Sequence, residues 1–252
     1  MSGILNADMI SREKFKNYIS YATGEIFLVV LGILIALQIN NWNENRKERK
    51  LEQDYYCRLK EDLQQDETHL ARLIIENEER IKMSNTALYL LQQKNPYRKD
   101  VINALRGATI RTTFTFKPTQ AAYEDIKSSG KLNTLTDIKL KTQLINYYTT
   151  INGIANVVDV NSDVTVGMYY RLDKDFTELG WSDISAFSAA IDTSRVDAKQ
   201  FQAVNFPSPE LKKSLISEAL FYLGTNTRKR ELYQTMAKEI AEMKSALTLK
   251  CP

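Results

Sequence analysis

Three observations predict an all-α protein with one transmembrane helix running on into a long helix and a helical-bundle soluble domain. Residues 26–39, IFLVVLGILIALQI, form an uncharged run in which Gln38 is the one strongly polar side chain. Beyond residue 43, apolar residues recur at steps of three and four over long stretches, which is the helical period. The 9 Gly and 5 Pro in 252 residues are too few for the many turns of an all-β fold. The expected organisation is a tail over 1–17, a transmembrane helix over 18–42 and a helical extramembrane domain over 43–252. That last length sustains a single core without staples.

Composition excludes several classes. The 34 basic and 31 acidic residues leave a formal charge of only +3, so no basic field invites nucleic acid and no acidic tail suggests disorder. The single histidine, His69, argues against zinc or a histidine relay, and reads as a solvated residue on a polar helix. No glycine-rich phosphate loop is present.

The uncharged core is short for a span, but Tyr18, Ile19, Tyr21 and Ala22 extend its apolar character backwards. About 22 residues at about 1.5 Å each cover roughly 33 Å, close to the hydrocarbon thickness of a bilayer. Tyr18, Tyr21 and Trp42 place rings at both interfaces, and the exit Gln38-Ile39-Asn40-Asn41 lacks the small residues of a signal-peptide cleavage site. Glu25 lies about one turn inside, where it reads as a snorkelling carboxylate; the sharper reading puts it in an oligomeric seam or an ion path. Gly32 and Ala36 form a small-xxx-small pair, across which Gln38 is able to hydrogen-bond. Membrane or oligomer contact is therefore expected at Glu25, Gly32, Ala36, Gln38 and Trp42. Orientation is contested: Arg46, Lys47, Arg49 and Lys50 favour a cytoplasmic domain, whereas a short basic tail with Arg12, Lys14 and Lys16 before an uncleaved span is the form of a signal anchor.

The run over residues 14–50, KFKNYISYATGEIFLVVLGILIALQINNWNENRKERK, resembles the signature of an uncharacterised single-pass membrane family of Bacteroidota-type bacteria. Residues 115–148, TFKPTQAAYEDIKSSGKLNTLTDIKLKTQLINYY, resemble that family's middle segment through Phe-x-Pro, Tyr-Glu-x-Ile, Ser-Gly-x-Leu and the closing Tyr-Tyr helix. The resemblance implies an inner-membrane protein with a periplasmic helical domain, and no activity. The tail, residues 1–10, lacks the basic run that many members carry.

Along the soluble part, Leu51, Tyr55, Leu59, Leu63, Leu70, Ile74 and Ile81 mark one face of a long helix ending at Lys94-Asn95-Pro96. Asn40, Asn41, Asn43 and Asn45 are the candidates for a break between it and the span. Residues 100–105 predict a short helix closed by Gly107, and residues 108–117 an extended loop packed by Phe114 and Phe116. Pro118 and Thr119 start a helix through Lys127 with Gly130 as its left-handed cap. Asp137 caps a helix buried along Leu140, Leu144, Tyr147, Tyr148, Ile151, Ile154 and Val158, and continuing towards Phe176. A break is expected over residues 179–183. Pro207-Ser208-Pro209 opens a helix with Leu211, Leu215, Ile216, Leu220 and Leu223 on one side. Gly224 marks either a tight turn or a break in a longer helix. The final helix places Leu232, Met236, Ile240, Met243 and Leu247 at coiled-coil-like spacing.

No catalytic, cofactor-binding or metal-binding residues are expected, and no cofactor. Glu76, Glu78 and Glu79, like Asp173 and Asp175, read as solvated faces because no histidine stands beside them at a helical (i, i+3) spacing. In each of the pairs Tyr147–Tyr148 and Tyr169–Tyr170, one ring is expected in the core and the other at its edge; a small-ligand pocket is the alternative. Cys57 and Cys251 have no metal-like spacing; a periplasmic domain whose last helix returns towards the first would permit a disulfide between them. The expected function is a non-catalytic anchored module that binds a partner protein, envelope component or ligand, and is itself oligomeric. The alternative is a subunit of a membrane pore or transport complex using Glu25 and Gln38.

Overall fold

The computed structural model describes residues 3–170, 192, 194–197 and 208–251, with the backbone alone for 3–17, 20 and 170. These residues form five α-helices and one 3₁₀ turn, with no strand among them. The helices are α1 (Gly3–Gln92), α2 (Arg98–Thr109), α3 (Ala121–Ser128), α4 (Ile138–Tyr170) and α5 (Pro209–Thr248); the 3₁₀ turn (Lys131–Thr134) follows α3. The chain divides into two compact units, Met1–Asp54 and Tyr55–Pro252, so the division falls inside α1.

In the first unit, α1 is long and apolar enough to cross a membrane, and none of its most apolar 18-residue window is buried. That window has a mean hydropathy of 2.2. The asparagines at 40, 41, 43 and 45 do not interrupt the helix, because each side chain is exposed and leaves the backbone ladder intact.

The second unit is a bundle. Along α1 the buried face steps by three and four through Tyr56, Leu59, Leu63, Asp66, Leu70, Leu73, Asn77, Arg80, Ser84, Ala87 and Leu91. Ile74 and Ile81, expected on this face, are only half buried beside Leu73 and Arg80. α5 runs antiparallel to α1: Cys251 bonds Cys57, Lys244 pairs with Glu67 at 2.5 Å, Arg230 with Glu78 at 3.7 Å, and Lys212 donates to the carbonyl of Gln93 at 2.6 Å. α4 is likewise antiparallel to α5. Lys250 meets Asp137 at 2.9 Å at one end, and Met168 and Tyr169 pack on the cluster containing Leu211 and Leu215 at the other.

Caps place the ends. Asp137 accepts the N–H of Leu140 at 3.0 Å, and Ser208 accepts that of Leu211 at 3.2 Å ahead of Pro209. Gly130 has φ 70°, a left-handed conformation that glycine adopts without strain. Four expectations are corrected. Gly107 lies inside α2 and not at its end, because Met83 packs where its Cβ would be, 2.7 Å from the Met83 Cε position. Gly224 neither turns nor breaks the chain; α5 passes through it as one 40-residue helix. Leu220 is exposed, and Ala219 and Tyr222 take the inner positions. Phe116 fills the loop after α2 alone, while Phe114 is exposed. The expected break over 179–183, and Asp173 and Asp175, lie outside the described residues.

Candidate functional site

The middle of the bundle is polar. Asn77, Arg80 and Ser84 of α1, Asn226 and Lys229 of α5, and Ser162 and Thr165 of α4 are all buried. An apolar cluster of Ala87, Leu91, Val101, Leu105, Leu215 and Tyr222 packs toward one end. Burying a charge without partners costs several kcal/mol, so each cation requires an explanation.

The explanation is the C-terminal end of α2 together with the turn that follows it. The last carbonyls of a helix lack intrahelical partners and carry the negative end of its dipole. Asn226 Nδ2 donates to the carbonyl of Ala108 at 2.9 Å, and Arg80 Nη1 donates to that of Ile110 at 3.3 Å. Lys229 Nζ donates to the carbonyl of Thr112 at 2.9 Å and to its Oγ1 at 2.8 Å. Asn77 Nδ2 binds the backbone carbonyl of Asn226 at 2.8 Å, tying α1 to α5 beside this clasp. Arg111, within the clasped turn, has φ 54°, a conformation costly for a non-glycine residue.

The electrostatics follow from this burial. Arg80 has Glu76 at 4.0 Å, and burial lowers its pKa. Burial and the neighbouring Arg80 bring Lys229 down to about 7, opposed by Asp159. Burial works to raise Asp159, but hydrogen bonds from Lys117 and Thr115 outweigh it and hold it below the usual carboxylate range. Tyr233 is pushed up to about 12, chiefly by burial.

A complementary clasp holds the N-terminal end of α3. Its N-cap residue, Gln120, makes no side-chain cap. Two buried carboxylates of α1 substitute: Asp62 accepts the N–H of Ala122 at 2.9 Å and Asp66 accepts that of Thr119 at 2.8 Å. Negative charge at a helix N-terminus is favourable, and burial raises the Asp66 pKa. α1 thus presents acids to the start of α3 and a cation to the end of α2.

Expected site residues are distributed as follows. Glu25, Gly32, Ala36, Gln38 and Trp42 all lie on the exposed stretch of α1, with nothing within 4 Å of the Gly32 Cβ position. Cys57 and Cys251 form a disulfide with Cα atoms 5.2 Å apart, and Lys60 Nζ donates to the Cys251 carbonyl at 2.8 Å. Tyr147 and Tyr148 are both buried, against the expected division between core and edge. Tyr148 stacks on Tyr123 at 4.1 Å and meets the Tyr147 ring edge-on at 5.0 Å. His69 is half buried, its ring centroid 5.8 Å from that of Phe116, where a solvated residue was expected. Glu78 and Glu79 are largely exposed ion-pair partners of Arg230 and Lys82, whereas Glu76 is half buried beside Arg80. Tyr147 also lines a groove of about 190 Å³ between α4 and α5, bordered by Gln143, Asn146, Thr150, Glu239 and Glu242. Among the described residues, no group of three or more His, Cys, Asp or Glu gathers as for a metal ion.

Sequence reasoning missed the clasp residues Asp62, Asp66, Asn77, Arg80, Asn226 and Lys229. A signal was present: on α1, Asp66, Asn77, Arg80 and Ser84 occupy steps of three and four that continue the apolar ladder without a gap.

Fold and site define an all-α chain with a span-length apolar helix and a bundle held by buried caps. It belongs to a family of unknown function (DUF6090), whose family model matches residues 25–155. The match takes in the apolar stretch, both acids of the α3 clasp and Arg80. No curated protein and no solved structure matches the chain.

Proposed function

We propose that this protein is a single-pass anchor of the bacterial inner membrane, of Bacteroidota type, whose bundle works in the periplasm by holding a partner and not by catalysis. The observation that carries the reading is the apolar stretch of α1, unburied over its whole 18-residue window. A free helix apolar on every side is stable in lipid and a liability in water.

The compartment is supported by the disulfide between Cys57 and Cys251, since such bonds persist where the surroundings are oxidising. The non-catalytic reading is supported by the roles of the buried ionisable groups. Arg80 and Lys229 are occupied with the carbonyls after α2, and Asp62 and Asp66 with the amides before α3. The partner is an envelope protein or a further copy of the chain.

Two measurements on the full chain test this. Fractionation and alkaline carbonate extraction are expected to leave the protein in the membrane. Protease added to intact spheroplasts is expected to digest the bundle; protection there, with digestion only after lysis, would place the bundle in the cytoplasm.

A further inference from the structure

Just past its apolar stretch, α1 carries charges of both signs in close order: Glu44, Arg46, Lys47, Glu48, Arg49 and Lys50. Because the helix continues through them unbroken, at about 100° per residue, the signs separate. Arg46, Arg49 and Lys50 fall with Trp42 within an arc of about 100°, whereas Glu44 and Glu48 stand on the opposite side. Lys47, on the flank, is held by Glu44 at 3.1 Å. Among the described residues no ion pair engages Arg46, Arg49 or Lys50. All of residues 41–50 are exposed, Trp42 at 60 %. A cationic face therefore begins one turn beyond an exposed indole, where the apolar stretch ends.

We infer that Arg46, Arg49 and Lys50, with Trp42, form a binding face for the phosphate headgroup of an anionic lipid. The inference rests on the anchored reading above, though not on the side of the membrane that the bundle occupies. An apolar helix fixed in a bilayer puts Trp42 at the interface, where indoles concentrate. Arg46 then lies about 6 Å and Lys50 about 12 Å further along the axis. The headgroup layer is about 5–7 Å deep on each side of the hydrocarbon. Side chains on a helix lean towards its N-terminus, which here is the membrane side, so Arg49 and Lys50 reach back over that layer on their long stems. Charge complementarity sets the occupant. Three cations close together favour a headgroup of net negative charge over a zwitterionic one, whose own ammonium they repel. Arginine adds paired N–H donors that fit phosphate oxygens. Glu44 and Glu48, on the other side, confine the attraction to one face of the helix.

The test is fluorescence quenching of Trp42 in the full chain, reconstituted in bilayers of equal parts phosphatidylglycerol and phosphatidylcholine with one or the other lipid brominated. Trp42 and Trp181 are the two tryptophans, so Trp181→Phe isolates the signal. Brominated phosphatidylglycerol is expected to quench Trp42 several-fold more strongly than brominated phosphatidylcholine. Arg46→Gln with Arg49→Gln and Lys50→Gln is expected to equalise the two, whereas Glu44→Gln with Lys47→Gln leaves the preference intact. Equal quenching in the parent chain overturns the inference, as does a preference that survives the triple variant or falls as far in the double one. Quenching by neither lipid overturns the anchored reading along with it. The chain with both tryptophans supplies a second measure: phosphatidylglycerol retained on purification in detergent is expected to fall several-fold in the triple variant, and unchanged retention overturns the face.

Discussion

Arg80 of α1 and Lys229 of α5 hold alternate carbonyls of one turn, those of Ile110 and Thr112, on either side of the left-handed Arg111. Two cations that would repel each other in an apolar core are instead held by the carbonyls that follow α2. The connection from α2 to α3 is thereby fixed at both ends by side chains from other helices.

Stability is expected to rise with pH across this clasp. Lys229 moves from 10.5 to about 7 on folding, so between those values the unfolded chain binds the additional proton and higher pH favours the native state. Tyr233, raised to about 12, and Tyr147, Tyr148 and Tyr222, raised further by burial, act in the opposite direction above their ordinary value of 10.0. Thermal midpoints are therefore expected to climb from pH 7 to a maximum near 10 and then fall. Lys229→Met is expected to flatten the climb. A level wild-type profile over that range would refute the assignment.

The acids before α3 are expected to behave as N-caps contributed from a neighbouring helix. Asp62→Ala removes the acceptor for the Ala122 N–H and is expected to cost about 1–2 kcal/mol, the usual loss at such a cap. Denaturant unfolding measures this, with amide exchange at Ala122 as the local readout. Unchanged exchange there would remove the capping role.

Two glycines in helices are expected to respond in opposite directions. Gly224 has open space around its Cβ position, so Gly224→Ala is expected to stabilise by about 0.5–1 kcal/mol through helix propensity. At Gly107 the added methyl meets Met83 at its Cε, Cγ and Cβ, the last at 3.2 Å. Gly107→Ala is expected to lose about 1–3 kcal/mol to overpacking, less the propensity gain. Equal midpoints for the two variants would contradict the packing at Met83.

Opening the disulfide is expected to lower stability by about 2–5 kcal/mol, since the bond closes a loop across a sequence separation of 194 and that span dominates the unfolded-state entropy. Cys57→Ser with Cys251→Ser, unfolded beside wild type under oxidising conditions, gives the figure. A difference that persists when wild type is fully reduced would point to side-chain packing and not to the cross-link.

Much of the fold was legible because it is written locally. An uncharged run flanked by aromatic rings reads as a span, and Lys94-Asn95-Pro96, Gly130, Asp137 and Ser208 mark helix ends by their own backbone preferences or capping atoms. Gly107 and Gly224 misled because the same residue closes one helix, packs tightly in a second and sits idle in a third; what decides is the neighbour, Met83 or none.

The sequence by itself determined the apolar stretch, the helical segments and most of their ends, since period, caps and breakers act over a few residues. Only the tertiary structure decided that Arg80, Lys229, Asp62 and Asp66 are interior. Ser84, Ser162 and Thr165 bond carbonyls of their own helices, but these four longer side chains are tolerable at core steps because a distant backbone brings each a free carbonyl or amide. The partners of these four, Ile110, Thr112, Ala122 and Thr119, lie 30 to more than 100 positions away along the chain.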